Sequence, residues 1–219
     1  WPPTLMSLAA ADSEVRAWLA APDLGWTEDL PSPLQSRWCD ARRLPSAPLP
    51  AAAINDAATA EVVAWQSLFN APPAVAVPTT FIWNETVERA WSAAGVRAIV
   101  TPGSRHEGRG ADGRPTPGST AIRNGDRGAG GVLLLVRDVY FEPVFGHAPS
   151  RLADDVLARA ALGRPALVEM HRFNFCGPRA SSQSFDTLRE ALAQLLARVP
   201  AVRFMSSAAL AAIIERADP

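Results

Sequence analysis

From residue 51 onward the chain alternates helix-like and strand-like stretches, and that alternation leaves few folds open. Ile54, Ala58, Val62, Trp65 and Phe69 recur at helical spacing up to Asn70. Pro72-Pro73 stops this helix, and residues 74–77 read as a short strand closed by Pro78. Asn84 caps a second helix with a stripe of Val87, Ala90, Trp91 and Ala94, ended by Gly95. Residues 96–101 make the next strand, and residues 132–136 are an unbroken apolar run of the kind found in buried parallel strands. Ser150 opens a helix through Leu162, and a strand follows over residues 165–170. A helix beginning at Ser184 or Asp186 carries Leu188, Leu192, Leu195 and Val199 on its inner face. Residues 201–205 read as a last strand, and Ser206 or Ser207 caps a final helix burying Leu210, Ile213 and Ile214. The predicted class is α/β, with parallel strands near residues 74, 97, 132, 165 and 201 and helices outside them. Right-handed crossovers would bring the C-terminal ends of these strands to one rim.

Residues 1–50 differ in texture. A helix fits residues 13–20, with Val15, Trp18 and Leu19 on one face. Beyond it Pro22, Pro31, Pro33, Pro45, Pro48 and Pro50 forbid any long regular element. Trp26 and Trp38 imply that this irregular segment packs onto the domain formed by residues 51–219. Residues 102–131 form a second irregular stretch, long enough to be a lid or a disordered loop. Its glycines, Gly125, Gly128, Gly130 and Gly131, precede a strand, whereas a nucleotide-binding loop follows one and opens a helix.

Composition removes further classes. The net charge of −1 gives no electrostatic case for nucleic acid or an anionic membrane surface. All 21 basic residues are Arg. A Walker-type phosphate loop and a Schiff-base enzyme both need a Lys, so neither is available. Cys39 and Cys176 stand far apart, with no zinc spacing, and read as buried or half-buried thiols. No membrane-span pattern or signal peptide is visible, which favours a cytoplasmic location. The chain opens at Trp1, and the expectation is a piece of a longer protein.

The chemistry concentrates in Pro165-Ala166-Leu167-Val168-Glu169-Met170-His171-Arg172-Phe173-Asn174-Phe175. On a strand Leu167, Glu169 and His171 share one face. A carboxylate and an imidazole at a strand's C-terminal end sit where α/β folds place their sites. His171 and Glu169 are the candidate catalytic pair, with Glu169 placed either to hold the ring or to tune its pKa. Arg172 and Asn174 are expected at the rim as substrate hydrogen-bonding groups, and Arg137 with Glu142 either contacts substrate or forms an ion pair shaping the loop. Trp83 is a candidate stacking platform or a core or rim filler, and Asn84 a neighbouring contact or simply a helix cap. His106 and His147, in Gly- and Pro-rich settings, read as exposed loop residues.

The strand ending at His171, followed by an amphipathic helix and Val202-Arg203-Phe204-Met205-Ser206-Ser207-Ala208-Ala209-Leu210, resembles the C-terminal portion of the polysaccharide deacetylase superfamily. Upstream, Val77-Pro78, Phe81-Ile82-Trp83-Asn84 and Arg137 with Phe141-Glu142-Pro143 are similar to its deacetylase-like bacterial members. The resemblance spans roughly residues 51–216 and implies a parallel (β/α)7-type barrel, incomplete here with about five strands and its first strands missing. It implies metal-dependent removal of acetyl groups from sugars, with His171 as general acid. It also implies a divalent metal, zinc or similar, whose Asp-Asp and His-x-x-x-His ligands are not found in this chain, so that the chain alone is expected to be inactive. Two other readings stay open: a related glycoside hydrolase using Glu142 and Glu169, and a non-catalytic carbohydrate-binding barrel.

Overall fold

The computed structural model describes residues 9–20, 36–40, 44–116, 118, 121–176 and 182–217. The chain divides into two compact units, Trp1–Ile122 with Asp126–Leu134 and Arg123–Gly125 with Leu135–Pro219.

In the first unit, α1 (Ser13–Ala20) begins where the Asp12 carboxylate accepts from the Glu14 and Val15 amides at 2.8 and 3.2 Å. Helix α2 (Ala51–Phe69) buries Ile54, Ala58 and Val62, one residue per turn, and ends on Asn70 in the left-handed region at φ 57°. Its stripe outruns the core: Trp65 and Phe69 are exposed and cover each other, ring centroids 4.2 Å apart. Strands β3 (Val75–Ala76) and β4 (Ala98–Thr101) run parallel, pairing Val75 with Ala98. Strand β5 (Leu133–Val136), of which Leu133 and Leu134 belong to this unit, lies on the other side of β4 from β3 and is buried, and so apolar, along its length. Helix α3 (Glu85–Ala93) is capped by the Asn84 side chain, which accepts the Val87 N–H at 3.1 Å. Strands β1 (Cys39–Asp40) and β2 (Ala47–Pro48) form a short antiparallel ladder. Just before it, Trp38 enters the same core edge-on to Trp91 at 5.2 Å. Through Trp38, residues 36–40 pack with α2 and α3; Trp26, Pro22, Pro31 and Pro33 lie outside the described residues.

The irregular stretch over residues 102–131 is tied down by a carboxylate where it is described. Glu88, 1% exposed, accepts from the Trp83 indole at 2.9 Å, the Arg105 guanidinium at 3.0 Å and the Ala129 amide at 2.7 Å. A charge removed from water needs such a full set of donors. The loop must come close to supply one. A Cβ on Gly128 would sit 2.7 Å from Glu88 Oε2 and 3.1 Å from Val132 Cγ1, so only glycine fits.

The second unit pairs β6 (Val139–Tyr140) in parallel with β7 (Val168–Glu169), Val139 opposite Val168 and Tyr140 opposite Glu169. Helix α4 (Pro149–Ala160) starts on a proline at its first position rather than on a Ser150 cap. It buries Leu152, Ala153 and Val156 against Val139, Phe141 and the Ala191–Leu195 face of α5 (Ser182–Arg198). Helix α6 (Ser207–Ala217) is capped by Ser206, whose Oγ accepts the Ala209 N–H at 3.2 Å. Its expected apolar stripe is not buried: Ala211 is its buried residue, and Ile213 is exposed.

The α/β class holds, as small parallel ladders with helices. The single parallel sheet does not. Residues 201–205 form no strand, Phe204 and Met205 are exposed, and no closed barrel exists among the described residues. Ladders of two to four residues leave most of these apolar runs without a strand partner, and a strand without one has no reason to stay extended. Among the described residues no helix is long and apolar enough to cross a membrane. Both cysteines are free; Cys39 is buried as expected, and burial pushes its thiol up, while Cys176 is exposed, contrary to expectation.

Replacing Glu88 by Ala leaves the Trp83 indole and the Ala129 amide without their acceptor and Arg105 without its buried counter-charge. The expected loss is about 3 kcal/mol, read as a lower urea midpoint by Trp fluorescence. Gly128→Ala is expected to destabilise in the same direction, and a wild-type midpoint in both variants would contradict this account.

Candidate functional site

The second unit gathers most of the residues singled out in the sequence. Strand β6 carries the chain from Arg137 to Glu142, and its parallel partner β7 delivers Glu169 and then His171 to the same end. A one-turn 3₁₀ helix, Arg172–Asn174, follows His171 and turns Asn174 back inward. A second one, Pro143–Phe145, follows Glu142 and closes on Gly146 at φ 76°.

Glu142 is the centre of this cluster and has no solvent exposure. Its Oε1 lies 2.5 Å from His171 Nδ1. Both carboxylate oxygens are 3.2 Å from the His171 backbone N–H. The Asn174 side-chain amide also donates to Oε2. Asn174 is fully buried, gives a second hydrogen bond to the His171 carbonyl at 2.7 Å, and accepts the Val144 N–H at 3.0 Å. The three residues thus lock one another. Nδ1 must carry the proton it gives to Glu142, so the other ring nitrogen, Nε2, is left for outside chemistry. The His171 side chain is 44% exposed.

Glu169 sits on the outer side of that ring, its Oε1 3.4 Å from His171 Nε2. The same oxygen is held at 2.9 Å by Arg137. Burial pulls the Arg137 guanidinium down from its ordinary value and the Glu169 charge pulls it back up. The pairing differs from the one the sequence suggested. Arg137 belongs to Glu169, and Glu142, the residue expected to face Arg137, holds the imidazole. The strand-face argument put Glu169 beside His171 but could not see that a carboxylate 29 residues earlier in the chain would take Nδ1.

Aromatic rings surround the outward edge. Phe173 stacks on His171 at 5.2 Å with 6° between the planes, and Phe145 meets Phe173 at 5.4 Å. Tyr140 makes edge contacts with both His171 and His147, at 6.3 and 5.6 Å. Tyr140 and Phe145 are each about two-fifths exposed, at 38% and 42%. Neither was singled out in the sequence, although each is an aromatic within three residues of Glu142.

Other expected site residues stand elsewhere or act differently. Trp83 is buried in the first unit with its indole N–H on Glu88, so its faces are covered by core rather than open to a sugar. Asn84 is a helix cap. Arg172 is exposed. His106 sits in the first unit with Nδ1 3.0 Å from the Thr116 carbonyl oxygen. His147, expected to be an exposed loop residue, is half-buried and accepts the Glu142 backbone N–H through Nδ1 at 3.0 Å. A cleft beside Glu88, of about 370 Å³, is lined by Glu85, Arg105, Glu107, Asp126 and Arg127. Arg105 pairs there with Glu88, Glu107 and Glu85, which makes it a structural charge network.

A divalent ion of the kind the resemblance implies needs converging His, Cys or carboxylate donors. Among the described residues no group of three such side chains converges. In the His171 cluster the donors are also committed, Glu142 to His171 and Asn174, and Glu169 to Arg137. These residues do not fit such a metal. Compared with protein-family models, curated proteins and solved structures, the chain matches none.

Asn174→Ala removes a fully buried group that satisfies the Val144 N–H and the His171 carbonyl. It is expected to cost about 2–3 kcal/mol, measured as a shift in the urea midpoint; a change under half of that would mean that these bonds are remade by water.

Proposed function

We propose that the second unit carries a hydrolytic acid–base site in which His171 moves the proton, and that its substrate class is an acylated carbohydrate. One observation carries this reading: a half-exposed imidazole whose Nδ1 rests on a fully buried carboxylate at 2.5 Å. That contact fixes the ring's tautomer and orientation. Nε2 then takes a proton from attacking water, or returns one to the departing oxygen or nitrogen. Glu169 stands 3.4 Å from Nε2, and Arg137 holds that carboxylate in place at 2.9 Å.

The carbohydrate part rests on the resemblance and on the rim. Exposed faces of Tyr140 and Phe145, with Phe173 stacked under His171, suit the apolar face of a sugar ring beside polar groups that suit its hydroxyls. The aromatic platform expected of Trp83 is thus supplied by other residues. The glycosidase alternative is less well supported: Glu142 is fully buried and its oxygens already accept from His171 and Asn174. A carboxylate so engaged has no free face for a sugar.

The test is hydrolysis of a chromogenic acetylated sugar by the full chain. His171→Gln and Glu142→Gln are each expected to lower turnover by about 10²–10⁴-fold, with little change in KM. Added zinc or cobalt is expected to leave the rate unchanged, because no ligand set for it converges among the described residues. Turnover that is absent in the wild type, or that survives the His171 substitution, would sink the reading.

A further inference from the structure

His147 stands five residues beyond Glu142, after the turn that ends on Gly146. The left-handed backbone at Gly146 brings the chain round, so that His147 Nδ1 meets the Glu142 backbone N–H at 3.0 Å. A ring nitrogen accepts a hydrogen bond only while it carries no proton. This bond therefore exists only for the neutral ring. The Glu142 amide it holds belongs to the residue whose side chain seats His171. A shift of that backbone would move a carboxylate that has to meet His171 Nδ1 and the Asn174 amide together.

We propose that His147 is a positioning residue for the Glu142–His171 pair: neutral, it fixes the Glu142 backbone so that the carboxylate meets the imidazole, and protonated, it lets that geometry go. The inference rests on reading His171 as the proton-transfer residue, and adds the group that keeps it poised and the condition under which it fails.

The surroundings fit a ring kept neutral. Burial pushes the His147 imidazole below its ordinary value of 6.5, and Arg151 on α4 pushes it the same way. Glu142, the Tyr140 backbone and Asp155 on α4 pull it back in part. The Tyr140 and Phe141 rings, at 5.6 and 6.3 Å, complete its surroundings. A histidine whose folded-state value is lowered binds fewer protons folded than unfolded. Its contribution to stability is present above 6.5 and is lost as pH falls through the lowered folded value.

The readout is the low-field proton resonance of the His171 Nδ1–H bound to Glu142, identified by its loss in His171→Gln. Where solvent exchange broadens it, the ¹⁵N shifts of the His171 ring serve instead. In the wild type the signature is expected to hold above pH 6.5 and to fade as the pH is lowered. His147→Asn keeps an acceptor for the Glu142 N–H but cannot titrate, so its signature should persist to lower pH. His147→Leu has no acceptor, and its signature should be weak throughout. Should the Leu variant fail to fold by circular dichroism, the wild type against His147→Asn decides alone. Coincident pH profiles in the folded proteins would overturn the proposal, and no signature in the wild type would overturn it together with the hydrolase reading. The expected pattern without any hydrolysis of acetylated sugars would uphold the positioning role and sink only the hydrolase reading.

Discussion

A carboxylate taken fully out of water must be met by donors, and that requirement shapes both units of this protein. In the second unit it is met at Glu142 by the His171 ring and backbone and by the Asn174 amide. Those donors come from a stretch about 30 residues further along the chain, so β6 and β7 must lie side by side for the charge to be satisfied. The short 3₁₀ turns after each strand, the buried Asn174 and the hydrogen bond from Val144 all follow from closing this shell.

The first unit solves the same problem with a different outcome. Glu88 takes an indole, a guanidinium and a backbone amide, and through them holds Trp83, Arg105 and the segment at Ala129 around α3. None of its partners is a group that exchanges protons near neutral pH, so the node is structural. At Glu142 one partner is an imidazole with its second nitrogen outward, and the same electrostatic device becomes a candidate for chemistry. The difference lies in the donor, since the two carboxylates are equally hidden.

The helices were legible because their evidence is local. Ile54, Ala58 and Val62, and Val87, Ala90 and Trp91, repeat at helical spacing, and Asn84 and Ser206 act as caps where the sequence places them. The strands were not equally legible. An apolar run such as residues 201–205 looks like a strand whether or not another strand lies beside it, and here none does among the described residues. Trp65 and Phe69 continue a regular stripe beyond the core that the stripe serves, because periodicity says which face is apolar and not how far the packing partner extends.

For the site, the sequence by itself determined the inventory: a carboxylate and an imidazole at the end of β7, with Arg137, Glu142 and Asn174 as polar residues at turns. Residue type and strand alternation are enough for that. Tertiary structure alone decided the partners. It gave Glu142 rather than Glu169 to His171 Nδ1, gave Arg137 to Glu169, drew His147 in from its loop and sent Trp83 into the core. Burial drives these choices. Whichever carboxylate the fold closes off from water has to claim the nearest donors, and which one is closed off depends on how distant segments pack, which no local pattern encodes.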